Sequence, residues 1–183
     1  MIRTNERLGQ DIPLYTCRLD AVTARKLKDF SCGNDTLDTF FREKAVSSER
    51  EVTYIFIDTE KDQVAAAASI ACSAIELGDG KRITSSIPAV EITYFAVDKR
   101  YQKLPYSEEK EAGYFSDMIM DSVIQIICDF SLQVCAATHV LLYATPDAVH
   151  FYERNRFVPS DIAWVMPREN WYLDGCTLMY QGL

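Results

Sequence analysis

The sequence predicts an α/β (α+β mixed) fold in which a mixed sheet is flanked by helices, with hairpins early and a β-α-β crossover later. Three observations lead there. Residues 52–58, 89–98 and 138–144 are rich in β-branched and aromatic side chains, as strands are. A long segment of helical spacing separates the last two, as a crossover requires. A short polar turn after the first leads into another apolar run of strand length, as a hairpin requires.

The elements follow in order. "IPLYTCRLD" (12–20) alternates roughly and reads as a first strand. "AVTARKLKDF" (21–30) has helical spacing, with Val22, Leu27 and Phe30 on its apolar side. "NDTLDTFFREKAVSSER" (34–50) is a second helix, capped by Asn34 or Asp35, with Leu37, Phe40 and Phe41 inward. "VTYIFID" (52–58) is a strand, "TEKDQ" (59–63) a turn and "VAAAASIACSAIEL" (64–77) the returning strand, although its alanines also permit a helix. "GDGKR" (78–82) is a loop, and "AVEITYFAVD" (89–98) is the most strongly β segment. Pro105 supports a break, and Ser107 is a candidate cap for a long helix to about 132. Its core side is Phe115, Met118, Ile119, Val123, Ile126, Ile127 and Phe130. "THVLLYA" (138–144) is a buried strand. Thr145 and Pro146 start a short helix over 146–155, by hydroxyl cap and by a proline where no N–H is needed. Segments 157–166 and 175–183 are two closing strands.

Composition bounds the function. The chain has 183 residues, 48% hydrophobic and 25% charged, which suits a single domain over 1–183 with a real core. No apolar run reaches bilayer-spanning length, and the N-terminus carries no signal-peptide core, so a cytoplasmic, membrane-free location is expected. The six cysteines have neither zinc nor disulfide spacing, and free, mostly buried thiols are expected. His139 and His150 have no ligand cluster beside them, so no metal is expected. The net charge is −8, and residues 51–183 carry the deficit. That disfavours a general nucleic-acid binder, which needs a basic face.

The element order and four motifs resemble the GCN5-related N-acetyltransferase (GNAT) superfamily over about residues 12–183. "FSCGNDTLDTFF" (30–41) is similar to the F-x-C/S-G-x-x-x-L-D-x-F-L stretch of a bacterial branch that includes toxin-like acetyltransferases. "VEITYFAVDKRYQ" (90–102) is similar to the strand that binds acetyl-CoA, and a long helix follows it. "HFYERNRF" (150–157) looks like F-Y-x-x-x-G-F. The resemblance implies a mostly antiparallel sheet with a splayed central strand pair.

It also implies roles. Acetyl transfer needs a deprotonated amine, a polarised thioester carbonyl and a protonated leaving thiolate. The main chain of Phe95, Ala96 and Val97 would bind the cofactor: the Phe95 N–H polarises the carbonyl and Val97 pairs with pantetheine. Glu91 stands where one subgroup keeps a general base, and the alternative is a strand glutamate facing solvent. The "CG…LD" motif belongs to a branch that often lacks that base, so the two motifs point to different subgroups. Tyr152 would protonate the thiolate, and the alternative is a half-buried structural tyrosine. Arg156 stands where the family has glycine.

The family's phosphate loop, Q/R-x-x-G-x-G/A, begins here at Gln102 but finds no glycine until Gly113. Two readings stay open. Either 103–112 is an insertion and Gly113 opens the helix, with Arg100, Gln102, Lys103 and Gly113 meeting the pyrophosphate. Or the helix starts at Ser107, and Glu108, Glu109 and Glu111 in its first turn repel it. The leading expectation is an N-acetyltransferase moving acetyl from acetyl-CoA to a primary amine of a small molecule or protein. The alternatives are an inactive GNAT-shaped binding module and a toxin-like enzyme acting on aminoacyl-tRNA. Dimers are common among relatives, by analogy only.

Overall fold

A computed structural model describes residues 8–78, 82–109, 111–160 and 175–183. Among the described residues seven strands form one sheet: β1 (Leu14–Arg18), β2 (Val52–Asp58), β3 (Gln63–Gly78), β4 (Ile83–Val97), β5 (His139–Ala144), β6 (Val158–Pro159) and β7 (Thr177–Gly182), in the order β1-β2-β3-β4-β5-β7-β6. The helices are α1 (Asp35–Thr39), α2 (Phe115–Phe130) and α3 (Val149–Arg154), with short 3-10 and π turns around them. The β1–β2, β5–β7 and β6–β7 ladders are antiparallel, and β4–β5 is parallel. The mixed sheet and the crossover through α2 are as expected. By compactness the chain divides into Met1–Ser69 with Tyr94–Ser122, and Ile70–Thr93 with Val123–Leu183.

In the first unit, Leu27, Phe30, Phe41, Ile55, Val64 and Ala67 form a closed apolar cluster. The Phe40 ring stacks on Tyr94 with centroids 3.8 Å apart. Full burial of one such aromatic contributes about 1.5–3 kcal/mol. Asn34 is the cap of α1, accepting from the Thr36 and Leu37 N–H groups. Helical structure then continues to Ser47 through a π turn and a 3-10 turn. Val22 is a correction: it is 74% exposed, outside the 3-10 helix Thr23–Asp29. The alanine run 65–68 is buried in β3, and the strand wins there because β3 lies inside the sheet, where small side chains fit closely packed layers.

In the second unit, Ile75, Ala89 and Leu141 form a cluster with Leu77, Ile87, Tyr143, Leu178 and Tyr180 around them. β4 begins at Ile83, earlier than expected, and carries Pro88 whose carbonyl accepts from the Thr138 N–H. The Thr145 hydroxyl makes no capping bond, and Pro146 opens a 3-10 turn before α3. Residues 79–81 of the expected loop and 161–166 of the expected strand lie outside the described residues.

α2 buries Phe115, Ile119, Met120, Val123 and Ile127, while Met118, Ile126 and Phe130 are half-buried. With its π turn it runs helical from Phe115 to Cys135, long and apolar enough by composition to cross a membrane. The sequence had been expected to hold no apolar run of that length, although a helix reaching about residue 132 was expected here. Asp121, Gln125 and Asp129 give it an exposed polar face. The six cysteines are free as expected, but five are half-buried and Cys72 is exposed.

Candidate functional site

The end of β4 is held by two buried carboxylates that the sequence reading did not single out. Asp98 directly follows β4 and is 2% exposed. Its Oδ2 accepts from the Ser31 N–H (3.0 Å) and Arg100 Nη2 (2.8 Å), and its Oδ1 from the Arg100 N–H (3.0 Å) and Nε (2.7 Å). Asp38, from the "LD" of the first motif, accepts from the Ser31 hydroxyl and the Cys32 N–H, both at 2.7 Å. The "FSCGND" loop is thereby tied to the residues after β4, with the Lys99 N–H donating to the Ser31 carbonyl (2.9 Å). Gln102 completes the tie: its Nε2 donates to the Cys32 and Val97 carbonyls, each at 2.8 Å. Burial pushes both aspartates up, but their hydrogen bonds and a nearby arginine outweigh it and hold each below the usual carboxylate range.

Among the expected cofactor residues, Phe95 is half-buried and Ala96 and Val97 are buried. Arg100 is forked onto Asp98, which raises its own basicity further. Lys103 is exposed at φ +57. The two loop readings separate here. Residues 103–109 and 111–112 form a non-helical loop, and α2 starts at Phe115 after Gly113 at φ +74. The alternative helix start at Ser107 is overturned: the Ser107 hydroxyl accepts from the Glu109 N–H within a loop closed by a Pro105–Tyr114 bridge. Glu108, Glu109 and Glu111 are exposed on that loop.

Two donors at the start of α2, one on the residue before it and one on its first residue, are engaged by the protein itself. The Tyr114 N–H donates to Asp117 Oδ2 at 2.8 Å, and the Phe115 N–H to the Leu104 carbonyl at 2.9 Å. The loop is also anchored, because the Gly9 and Gln10 N–H groups donate to the Pro105 and Tyr106 carbonyls, each at 2.8 Å.

In the second unit, the β4–β5 ladder runs from Ala89 opposite His139 to Ile92 opposite Leu142, and β4 itself continues to Val97. Glu91 lies within this ladder, half-buried, and its Oε2 accepts from the Ser73 hydroxyl at 3.1 Å. It is therefore not a strand-end residue. Tyr152 on α3 is 8% exposed, edge-on to Phe151 and Phe157. Burial pushes its phenol well up, so at neutral pH it holds its proton. Arg156 takes the left-handed conformation (φ +70) that the family gives to glycine. Its N–H donates to the Glu153 carbonyl, and the Phe157 N–H to the Tyr152 carbonyl (both 3.0 Å), so the two-bond helix stop forms without glycine. His139 bonds the Thr138 hydroxyl, and His150 is exposed near Glu153.

No protein-family profile and no curated protein matches the sequence. Solved structures match its fold. A bacterial toxin superposes with a TM-score of 0.70 at 20% identity, over 93% of this chain and 91% of that one. A mutant of the toxin AtaT, bound to the C-terminus of the antitoxin AtaR and to acetyl-CoA, gives 0.67 at 18% identity over 92% of each chain. AtaT complexed with acetyl-methionyl-tRNAfMet gives 0.65 at 20% identity, over 91% of this chain and 94% of that one. The chain therefore has the GNAT fold that its motifs resemble. The structures it superposes on are bacterial toxins, and at these identities the likeness is one of fold.

Proposed function

We propose that the chain is an acetyl-CoA-dependent N-acetyltransferase acting on a primary amine. The observation that carries this reading is β4 itself, which leaves its ladder with β5 at Ile92 and runs on as strand to Val97. An extended ligand arm would be held along such a strand by main-chain pairing. The Asp98–Ser31–Arg100 and Asp38–Cys32 bonds support the same reading, since they fix the end of that strand. Acetyl-CoA would supply the activated acetyl thioester. The Phe95 N–H would stabilise charge on the carbonyl oxygen as the amine nitrogen adds to carbon. The protonated Tyr152 hydroxyl would give its proton to the departing sulfur. Glu91, steadied by Ser73, would take the proton that the amine loses.

The test is binding together with turnover. Acetyl-CoA at about 100 times its dissociation constant stabilises the fold by roughly 2.7 kcal/mol, and thiol release with an amine panel reports transfer. Tyr152→Phe is expected to keep the thermal shift and lower kcat by about a hundredfold. No shift at millimolar acetyl-CoA removes the enzyme. A shift without thiol release favours a GNAT-shaped binding module.

A second reading is favoured by the "FSCGNDTLDTFF" motif and by the fold match to a toxin complexed with an acetylated aminoacyl-tRNA. In it the acceptor is aminoacyl-tRNA and an antitoxin is the protein partner. Growth arrest on expression, relieved by Tyr152→Phe, would support it; the net charge of −8 counts against it.

A further inference from the structure

A helix start normally offers N–H groups and a positive dipole end to phosphate. Here two of those donors are taken. The carboxylate of Asp117 accepts the Tyr114 N–H at 2.8 Å, and the Leu104 carbonyl accepts the Phe115 N–H at 2.9 Å. A phosphate at α2 would have to break a charge-assisted bond and then sit beside the displaced carboxylate. The loop before α2 cannot swing aside cheaply. Its Pro105 and Tyr106 carbonyls are bonded by Gly9 and Gln10, and the Tyr106 N–H donates to the Gly113 carbonyl at 3.0 Å. Arg100, one of the two cations the sequence offered to the pyrophosphate, is forked onto Asp98, and the other, Lys103, is exposed. The exposed Glu108, Glu109 and Glu111 add negative charge to the same loop.

We propose that Asp117 and the Leu104 carbonyl close the start of α2 to phosphate, so that the donor is selected by its pantetheine thioester arm and its nucleotide end contributes little. The proposal rests on the acetyltransferase reading, and it makes Asp117 a specificity-determining residue. A donor with a truncated nucleotide end is then held nearly as well as acetyl-CoA, because the strand end at Phe95–Val97 supplies the contacts.

Calorimetric titration of the full chain with CoA, 4′-phosphopantetheine and pantetheine tests it. The expected dissociation constants for CoA and pantetheine lie within about tenfold of each other. Asp117→Asn keeps an acceptor for the Tyr114 N–H and removes the charge. It is expected to tighten CoA by about tenfold and leave pantetheine unchanged. Glu108→Gln with Glu109→Gln, remote from the helix cap, is expected to move CoA in the same direction by a smaller factor. A native preference for CoA over pantetheine beyond about tenfold overturns the proposal, as does an unchanged CoA-to-pantetheine ratio in folded Asp117→Asn protein. CoA binding without pantetheine binding overturns this inference alone. Failure of all three ligands to bind overturns it together with the acetyltransferase reading.

Discussion

Asp98→Asn tests the claim that one buried carboxylate fixes the end of β4. The two side chains have the same shape, so packing is unchanged and only hydrogen bonding is altered. Each carboxylate oxygen accepts from two donors: Ser31 N–H and Arg100 Nη2 on one, Arg100 N–H and Nε on the other. Asparagine has one oxygen. Whichever way its amide turns, two donors meet an NH2 group. A lost hydrogen bond to a charged group costs about 1.5–3 kcal/mol when its partner stays buried. The Arg100 side chain is 39% exposed and regains water, so its share is discounted. The sum is about 3 kcal/mol, most of it from the backbone donor and the crowding of donors. For a chain of this size that lowers Tm by about 6–12 °C. The assay is thermal unfolding with and without CoA, and the CoA-induced shift should shrink in the variant because the strand end is less fixed. A fall in Tm under about 2 °C would refute the reasoning, since the carboxylate would then be holding little.

Three other outcomes are expected. Arg156→Gly should stabilise by about 1 kcal/mol, read from the urea midpoint, because it relieves the left-handed backbone at φ +70. Gly113→Ala should destabilise by about 1–2 kcal/mol, because a Cβ at φ +74 is strained and comes within 2.9 Å of Asp117 Oδ2. Stability should be insensitive to Asp38 and Asp98 above their ordinary unfolded value, about 3.9. It should fall with pH below that as their depressed folded-state values are crossed, since the unfolded chain then binds more protons; urea titrations from neutral pH to pH 3 read the slope.

What the sequence disclosed was whatever its periodicity encodes. The apolar spacing of 115–130 and the β-branched run 89–98 describe one-sided burial, and both elements formed there. Ser107 misled because a serine followed by acidic residues has the look of a capped helix start, although Lys110 stands where a capping box has Glu or Gln. The loop is instead held from a distance, by Gly9 and Gln10 bonding to the two residues just before Ser107. Val22 failed for another reason: the spacing suited an α-helix that includes it, but the segment winds as a 3-10 helix only from Thr23, and Val22 is left exposed before it. Asp38 and Asp98 were in view as letters of quoted motifs, yet their work depends on loops far apart in sequence. A lone acidic residue closing an apolar stretch was the available signal. At the candidate site, the β4 segment and Tyr152 were legible as types. The closed start of α2 was not, because Asp117 reads equally well as an ordinary first-turn carboxylate.

Gly9 has a consequence of its own. A methyl group there would press on the Phe115 side chain at 3.1 Å and on the Tyr106 backbone at 3.2 Å. Gly9 and Gln10 thus work as a latch on the acidic loop. Trimming back past them, or tethering a rigid fusion immediately ahead of them, would be felt first at the mouth of α2, long before the sheet itself gave way.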